Sequence, residues 1–326
     1  MHQNLQEIDF SGVRKKIGAE LEALEKLKLR FARDTLNIGV VGRARQGKSR
    51  LLQSISGLAA TEIPDGDRQH CTGVRSTILH KQNLSAPYAD VWFYSETSFL
   101  NEVIMPYFRE LRLSPFPYSM EDFVAESLPL LPDNLSGYAE PRAKYEHLRR
   151  YHEHFEEYKE LLHAESPRKI SHQVIQEYVA QVSHDGENKF YNYLAVREVK
   201  IVCNFPHADI GQVALIDMPG LGDTGIGDQE RMVKVLGDDV DMVMFVRMPK
   251  ASGDYWADVD VQLYDLARSA LIELPVSQWA FMVLNQTKQN SNNGDNKKNC
   301  KDLRETIHEK HIDVVQCLIS ANLISH

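Results

Sequence analysis

Apolar and polar positions divide the chain into segments of distinct period. Residues 4–33 carry Val13, Ile17, Leu21, Leu24, Leu27 and Phe31 among Lys and Glu, which is helical spacing with a charged opposite face. This predicts an amphipathic helix whose apolar stripe docks on the rest of its own domain, with a dimerising or stalk-forming helix as the alternative. "LNIGVVG" then reads as a short, β-branched, buried parallel strand, and "RSTILHK" and "ADVWFYS" alternate as two further strands. From about Ser95 to Asn188 the period turns helical in "FLNEVIMPYFREL", "SMEDFVAESLPLL", "AKYEHLRRYHEHFEEYKELLH" and "SHQVIQEYVAQVS", with Pro-containing joints "SPFP" and "ESPRK" between them. Strands return in "LAVREVKIVCNF", "QVALIDMPG", "DMVMFVRMP", "QWAFMVLN" and "VVQCLIS", several of them separated by helix-length segments. "NQTKQNSNNGDNKKN" holds no apolar residue to anchor it and predicts a mobile surface loop.

These elements predict an α/β fold: a mostly parallel sheet flanked by helices, with a helical insertion before the strand that ends in Asp217. The expected organisation is an N-terminal amphipathic helix over 1–34, one α/β domain from 35–94 and 190–326, and the insertion over 95–189. No apolar stretch reaches the ~18 residues of a membrane span, and "MHQNLQEIDF" lacks the apolar segment of a signal peptide, so a cytoplasmic location is expected. The formal charge of −9 argues against nucleic acid as a partner. Cys71, Cys203, Cys300 and Cys317 show no C-x-x-C spacing and are expected to be reduced thiols.

Between "LNIGVVG" and the helical "SRLLQSISGL" stands Gly42-Arg-Ala-Arg-Gln-Gly47-Lys48-Ser49, which matches G-x-x-x-x-G-K-[ST]. Without side chains, Gly42 and Gly47 let successive backbone N–H groups turn toward phosphate oxygens, and the following helix adds the positive end of its dipole. Lys48 is placed to neutralise β and γ phosphates, and Ser49 to offer a hydroxyl to Mg²⁺. Gln46 and Arg50 are grouped with this loop as nucleotide-binding. The pattern arises by accident in roughly one chain of this size in a hundred, and here it also has the required strand-to-helix context. "VALIDMPGLGD" places Asp217 at a strand end, where it can hold a water on Mg²⁺, and Gly220 where its N–H can meet a γ-phosphate oxygen. In "HCTGVRSTILH", Thr72 precedes a strand and can complete the Mg²⁺ shell, with Thr61 the weaker candidate. Ser320-Ala321-Asn322, at the end of the last strand, can bring backbone N–H groups to a base carbonyl.

"GRARQGKS", Thr72, "DMPG" and "SAN" together resemble the ordered motifs of a translation-factor-related GTPase. The resemblance is closer to the dynamin-like branch, through "TGVRSTILH" followed by "ADVWFYS", the long insertion before "REVKIVCNFPHADIGQVALIDMPGLGD", and the helix before the first strand. It implies Mg²⁺-dependent GTP hydrolysis, face-to-face homodimerisation of nucleotide domains, and peripheral membrane contact through regions outside this chain, which would then be the front part of a longer protein. Where the family has N/T-K-x-D, whose Asp reads guanine, one alignment gives Asn285-Gln-Thr287-Lys288 with no acid. The other gives Thr287-Lys288-Gln289-Asn290, with an amide in place of the carboxylate, which weakens guanine selectivity. Leu221 stands where some GTPases carry a water-positioning glutamine. Arg45 stands where guanylate-binding proteins carry an arginine acting in cis, so Arg45, Lys48 and Thr72 form the expected catalytic set, with Arg43 solvated. A P-loop ATPase and a nucleotide-gated scaffold that does not hydrolyse are the alternatives. His147, Glu153 and His154 invite a metal, but a solvated helix face explains them better.

Overall fold

The computed structural model describes residues 10–43, 45–63, 74–183, 187–206, 212–218, 228–272, 274–289, 291, 293–310 and 312–320. Among the described residues nine strands form one sheet: β1 (Leu36–Val41), β2 (Arg75–His80), β3 (Tyr88–Phe93), β4 (Arg168–Ser171), β5 (Val196–Cys203), β6 (Val213–Asp217), β7 (Met242–Arg247), β8 (Ala280–Asn285) and β9 (Gln316–Ser320). Their order is β4-β3-β5-β2-β6-β1-β7-β8-β9. β6, β1, β7, β8 and β9 run parallel in succession, and β2 pairs antiparallel with β6. This is a mostly parallel sheet flanked by helices.

The helices are α1 (Ser11–Phe31), α2 (Lys48–Ser56), α3 (Glu96–Phe99), α4 (Met105–Glu110), α5 (Met120–Ala125), α6 (Asp133–Ser136), α7 (Ala139–Glu153), α8 (Phe155–Tyr158), α9 (Ile175–Val179), α10 (Asp228–Asp238), α11 (Asp258–Ala270) and α12 (Lys297–Glu309). Period-2 alternation sends neighbouring strand residues to opposite layers. Val40, Leu215, Val246 and Val283 join a core shared with α2 and the segment from α3 to α9. Val41, Ile216, Phe245 and Leu284 join a second core built with α10, α11 and α12. Phe99, Tyr107, Phe108 and Tyr158 of the inserted segment are buried with Val91 and Val199 of the sheet, so the apolar positions of "MPYFREL" are spent on packing.

Three expectations are corrected. The inserted segment contributes a strand, β4, which pairs antiparallel with β3. Only Ile170 of its four residues is buried, so its sequence carries no visible alternation. The polar stretch after β8 is anchored by an amide instead of an apolar residue. Asn296 is 1% exposed, donates to Pro249 O (2.7 Å) and Asn285 O (3.0 Å), and accepts from Thr287 N (2.8 Å). The third correction concerns α1, which has no buried residue and does not dock its stripe. Its C-terminal end is fastened: Arg30 and Arg33 both bond Asp241 Oδ1 at 2.9 Å, and Asp241 Oδ2 accepts from Asn37 N at 2.9 Å. These charge-assisted bonds fasten α1 to the edge of the sheet where β1 begins.

Candidate functional site

β1 delivers its last residues to the carboxyl edge of the sheet, where open α/β sheets receive ligands. Gly42 packs so closely on β7 that a Cβ there would lie 2.4 Å from Val246 O. The loop then turns through left-handed backbone at Arg45 (φ 60°) and Gly47 (φ 82°). At Gly47 a Cβ would also meet Asn285 Nδ2 at 2.5 Å, so both fixed glycines have steric reasons. Gly47 caps α2 with no side-chain hydrogen bond, which leaves the first N–H groups of that helix to an anion.

Lys48 is buried, and its Nζ donates to Gly42 O (3.0 Å) and Arg43 O (3.2 Å), so the ammonium lies inside the curl of the loop. Beside it, Asp217 ends β6 in register with Val40 of β1. Asp217 is 4% exposed, and its Oδ1 has no hydrogen-bond partner among the described residues. Burial pushes its carboxyl up from the ordinary 3.8 to about 6, against the pull of the Lys48 charge. Ser49, half-buried, follows Lys48 in the first turn of α2. An unused buried carboxylate oxygen and a nearby hydroxyl are hard oxygen donors and fit Mg²⁺.

Two neighbouring strand ends brace the loop. Gln46 Oε1 accepts from Met248 N (2.7 Å) just past β7, and Gln46 O accepts from Asn285 Nδ2 (2.7 Å) at the end of β8. Behind Asn285, Thr287 is buried with its hydroxyl donating to Gly294 O (2.6 Å), while Lys288 is exposed. Asn285 therefore faces the phosphate loop, Thr287 turns inward, and no carboxylate occupies the stretch from Asn285 to Lys288.

Arg43 is the other correction: it is half-buried and paired instead of standing free in solvent. Its Nε lies 3.2 Å from Asp260 Oδ1, and Asp260, on α11, also pairs with the buried Arg247 at the end of β7. Arg247 in turn donates to Asp254 Oδ1 and Tyr255 O, both at 2.7 Å. This network of two arginines and two aspartates ties the loop to α11. Sequence reasoning passed over Asp254, Asp260 and Asn296. The available signal was an arginine closing the apolar run "VMFVR", since a charge delivered to a buried strand end needs a counter-charge.

Of the sequence-derived site residues, Gly42, Arg45, Gln46, Gly47, Lys48, Ser49 and Arg50 form the loop and the first turn of α2, with Asp217 and Asn285 adjoining. Arg45 is exposed, and the backbone of Ser320 pairs with Asn285 across β8 and β9. Thr72, Gly220, Leu221, Asn290, Ala321 and Asn322 lie outside the described residues. Thr61 is exposed and donates to Glu62 (2.8 Å). Among the described residues no cluster of His, Cys, Asp or Glu could hold a metal, and His154 instead stacks on Tyr191 with ring centroids 4.0 Å apart.

No family model matches the chain, and no curated protein matches it. Among solved structures, it is similar to two chains of an oligomerised bacterial dynamin pair described as sensing and tethering membranes over long range. The first is 12% identical over 88% of this chain and 31% of that one, with a TM-score of 0.43. The second is 14% identical over 97% and 43%, with a TM-score of 0.40. A third is an Era variant from Aquifex aeolicus bound to GDP·AlF4⁻, 13% identical over 89% and 54%, with a TM-score of 0.36. The chain thus spans less than two thirds of each, and at these identities the likeness is one of fold alone.

Proposed function

We propose that this chain binds GTP together with Mg²⁺ and hydrolyses the γ-phosphate, as the nucleotide domain of a dynamin-like GTPase. The observation that carries the proposal is the buried pair at the ends of β1 and β6. There a lysine ammonium sits inside a twice left-handed loop, beside a buried carboxylate with an unused oxygen. A triphosphate tail satisfies both needs: its oxygens accept from the loop N–H groups and Lys48, and its counter-ion engages Asp217. Ser49, Asp217 and, by sequence pattern, Thr72 would hold Mg²⁺, which when bound neutralises charge on the β and γ oxygens. Lys48 gives up its bonds to Gly42 O and Arg43 O in exchange for phosphate oxygens. Arg45, exposed on the left-handed turn, swings its guanidinium over the β and γ phosphates and spreads the charge that develops as the bond to γ-phosphorus breaks. Gly220 donates to a γ oxygen, and the N–H groups of Ser320, Ala321 and Asn322 meet the base.

Within this proposal the chain is cytoplasmic, forms a nucleotide-dependent homodimer through the nucleotide face, and meets a membrane through regions outside this sequence. The net charge of −9 argues against a nucleic-acid partner. Among the described helices none is long and apolar enough to cross a membrane. Phosphate release measured on GTP, ATP and XTP tests the proposal. Mg²⁺-dependent turnover of GTP supports it. A second reading, an ATPase or a scaffold that binds without hydrolysis, draws on the absence of an acid between Asn285 and Lys288. Turnover confined to ATP, or binding with no phosphate released, would favour it.

A further inference from the structure

α1 is a 21-residue helix, about 32 Å long at 1.5 Å per residue, with no residue buried. Its apolar stripe runs through Val13, Ile17, Leu21, Leu24, Leu27 and Phe31, each between 48% and 84% exposed. Exposure this continuous along one helix face marks a surface built to be covered. Arg30, which grips Asp241, lies well round the helix from that stripe, so the apolar face points away from the side that anchors it.

Two charged residues interrupt the stripe, and their placement identifies the occupant. Glu20 stands four residues before Leu24 and Lys28 four residues after it. We infer that α1 pairs antiparallel with α1 of a second copy of this chain, about a two-fold axis at Leu24. In that register Leu24 meets Leu24 of the second copy, Leu21 meets Leu27, Ile17 meets Phe31, and Glu20 meets Lys28. Every residue of the apolar stripe over 17–31 then finds another of the stripe, and the two interrupting charges find each other. The parallel, in-register pairing sets Glu20 against Glu20 and Lys28 against Lys28, and it is repulsive at both points. Among the described residues the ion pair of Lys28 is an exposed contact with Glu25 at 3.2 Å, which is weak and exchangeable. The long-range charge acts in the same sense. The chain carries −9 overall although α1 carries six basic and three acidic residues, so the bodies are negative, and antiparallel helices hold them at opposite ends.

An overlap limited to residues 17–31 buries less than the ~1,200 Å² of a standard stable interface, so the dimer is concentration-dependent, and because α1 is fastened where β1 begins, at the end opposite the phosphate loop, it is independent of nucleotide. Nucleotide independence separates it from dimerisation through the nucleotide face. The test is sedimentation equilibrium of the full chain without nucleotide, for the parent, Glu20→Lys, Lys28→Glu and the double swap. Each single swap places like charges at both crossing points and is expected to weaken the dimer about tenfold. The double swap restores opposite charges in the antiparallel register alone, and is expected to return to within about threefold of the parent. Because α1 contributes nothing to the core, the far-ultraviolet dichroism and thermal midpoint of all four proteins are expected to agree. A parent monomeric up to about 1 mM, or a double swap no tighter than the single swaps, overturns the inference.

Discussion

Asp217 offers a prediction in which stability and function move in opposite directions. Its carboxyl is buried and raised to about 6, with burial the dominant cause and Lys48 opposing it. The folded protein therefore holds this proton more tightly than the unfolded chain, where the value is near 3.8. The contribution to stability is complete at pH values below about 4 and is lost as pH rises through about 6. Across that gap, at ~1.4 kcal/mol per pH unit, the ionised carboxylate costs the empty fold roughly 3 kcal/mol. Asp217→Asn removes the charge at constant shape, while depriving Lys48 of its neighbour, which trims the expected gain to about 1–3 kcal/mol at pH 8. At 2–4 °C per kcal/mol for a larger domain, that is a rise of several degrees in the unfolding midpoint, shrinking toward zero by about pH 4. The assay is thermal unfolding of parent and variant at both pH values, nucleotide-free, repeated with excess GTP and Mg²⁺. With ligand the order reverses, because only the parent gains the stabilisation that binding confers. A variant less stable than the parent at pH 8 without ligand, or a gap that ignores pH, refutes the reasoning.

The remaining predictions concern the loop and its supports. Arg45→Ala is expected to lower turnover by about 10³ while leaving the nucleotide dissociation constant within a few-fold, measured by single-turnover phosphate release and equilibrium titration. Equal loss of both would make Arg45 an ordinary phosphate contact. Asn296→Ala strips Thr287 N of its buried acceptor and removes one donor each from Pro249 O and Asn285 O, and is expected to cost about 1–3 kcal/mol in urea unfolding. An unchanged midpoint would show that the polar segment does not depend on this amide.

Much of the sheet was legible because its strands are short, β-branched and buried on both faces, a pattern that helices rarely imitate. All eight strands expected from the sequence appear in the sheet. β4 escaped because a charged edge strand with one buried residue, Ile170, leaves no alternation to see. The inserted helices were placed in the right region but drawn too long: "AKYEHLRRYHEHFEEYKELLH" breaks at His154 and ends in a tighter 3₁₀ turn over Lys159–His163. Periodicity reports which face is apolar and says nothing of what will cover it, which is why α1 was expected to dock and instead stands exposed. The phosphate loop was readable letter by letter, since Gly42 and Gly47 answer to steric demands that no other residue meets. Its braces were not readable, because Gln46 to Met248, Asn285 to Gln46 and Arg43 to Asp260 join residues far apart in sequence. Asn296 shows the same limit from the opposite side: a polar residue can be as deeply buried as any leucine when every one of its hydrogen-bonding groups is matched.

Calorimetric titration of GTP with Mg²⁺ into this chain and into Lys48→Ala tests most directly whether the loop at the end of β1 cradles a triphosphate. The account predicts saturable one-to-one binding by the parent and a loss of about a hundredfold or more in the variant. Equal affinity in the two proteins, or no heat of binding from any nucleoside triphosphate at millimolar concentration, would contradict it.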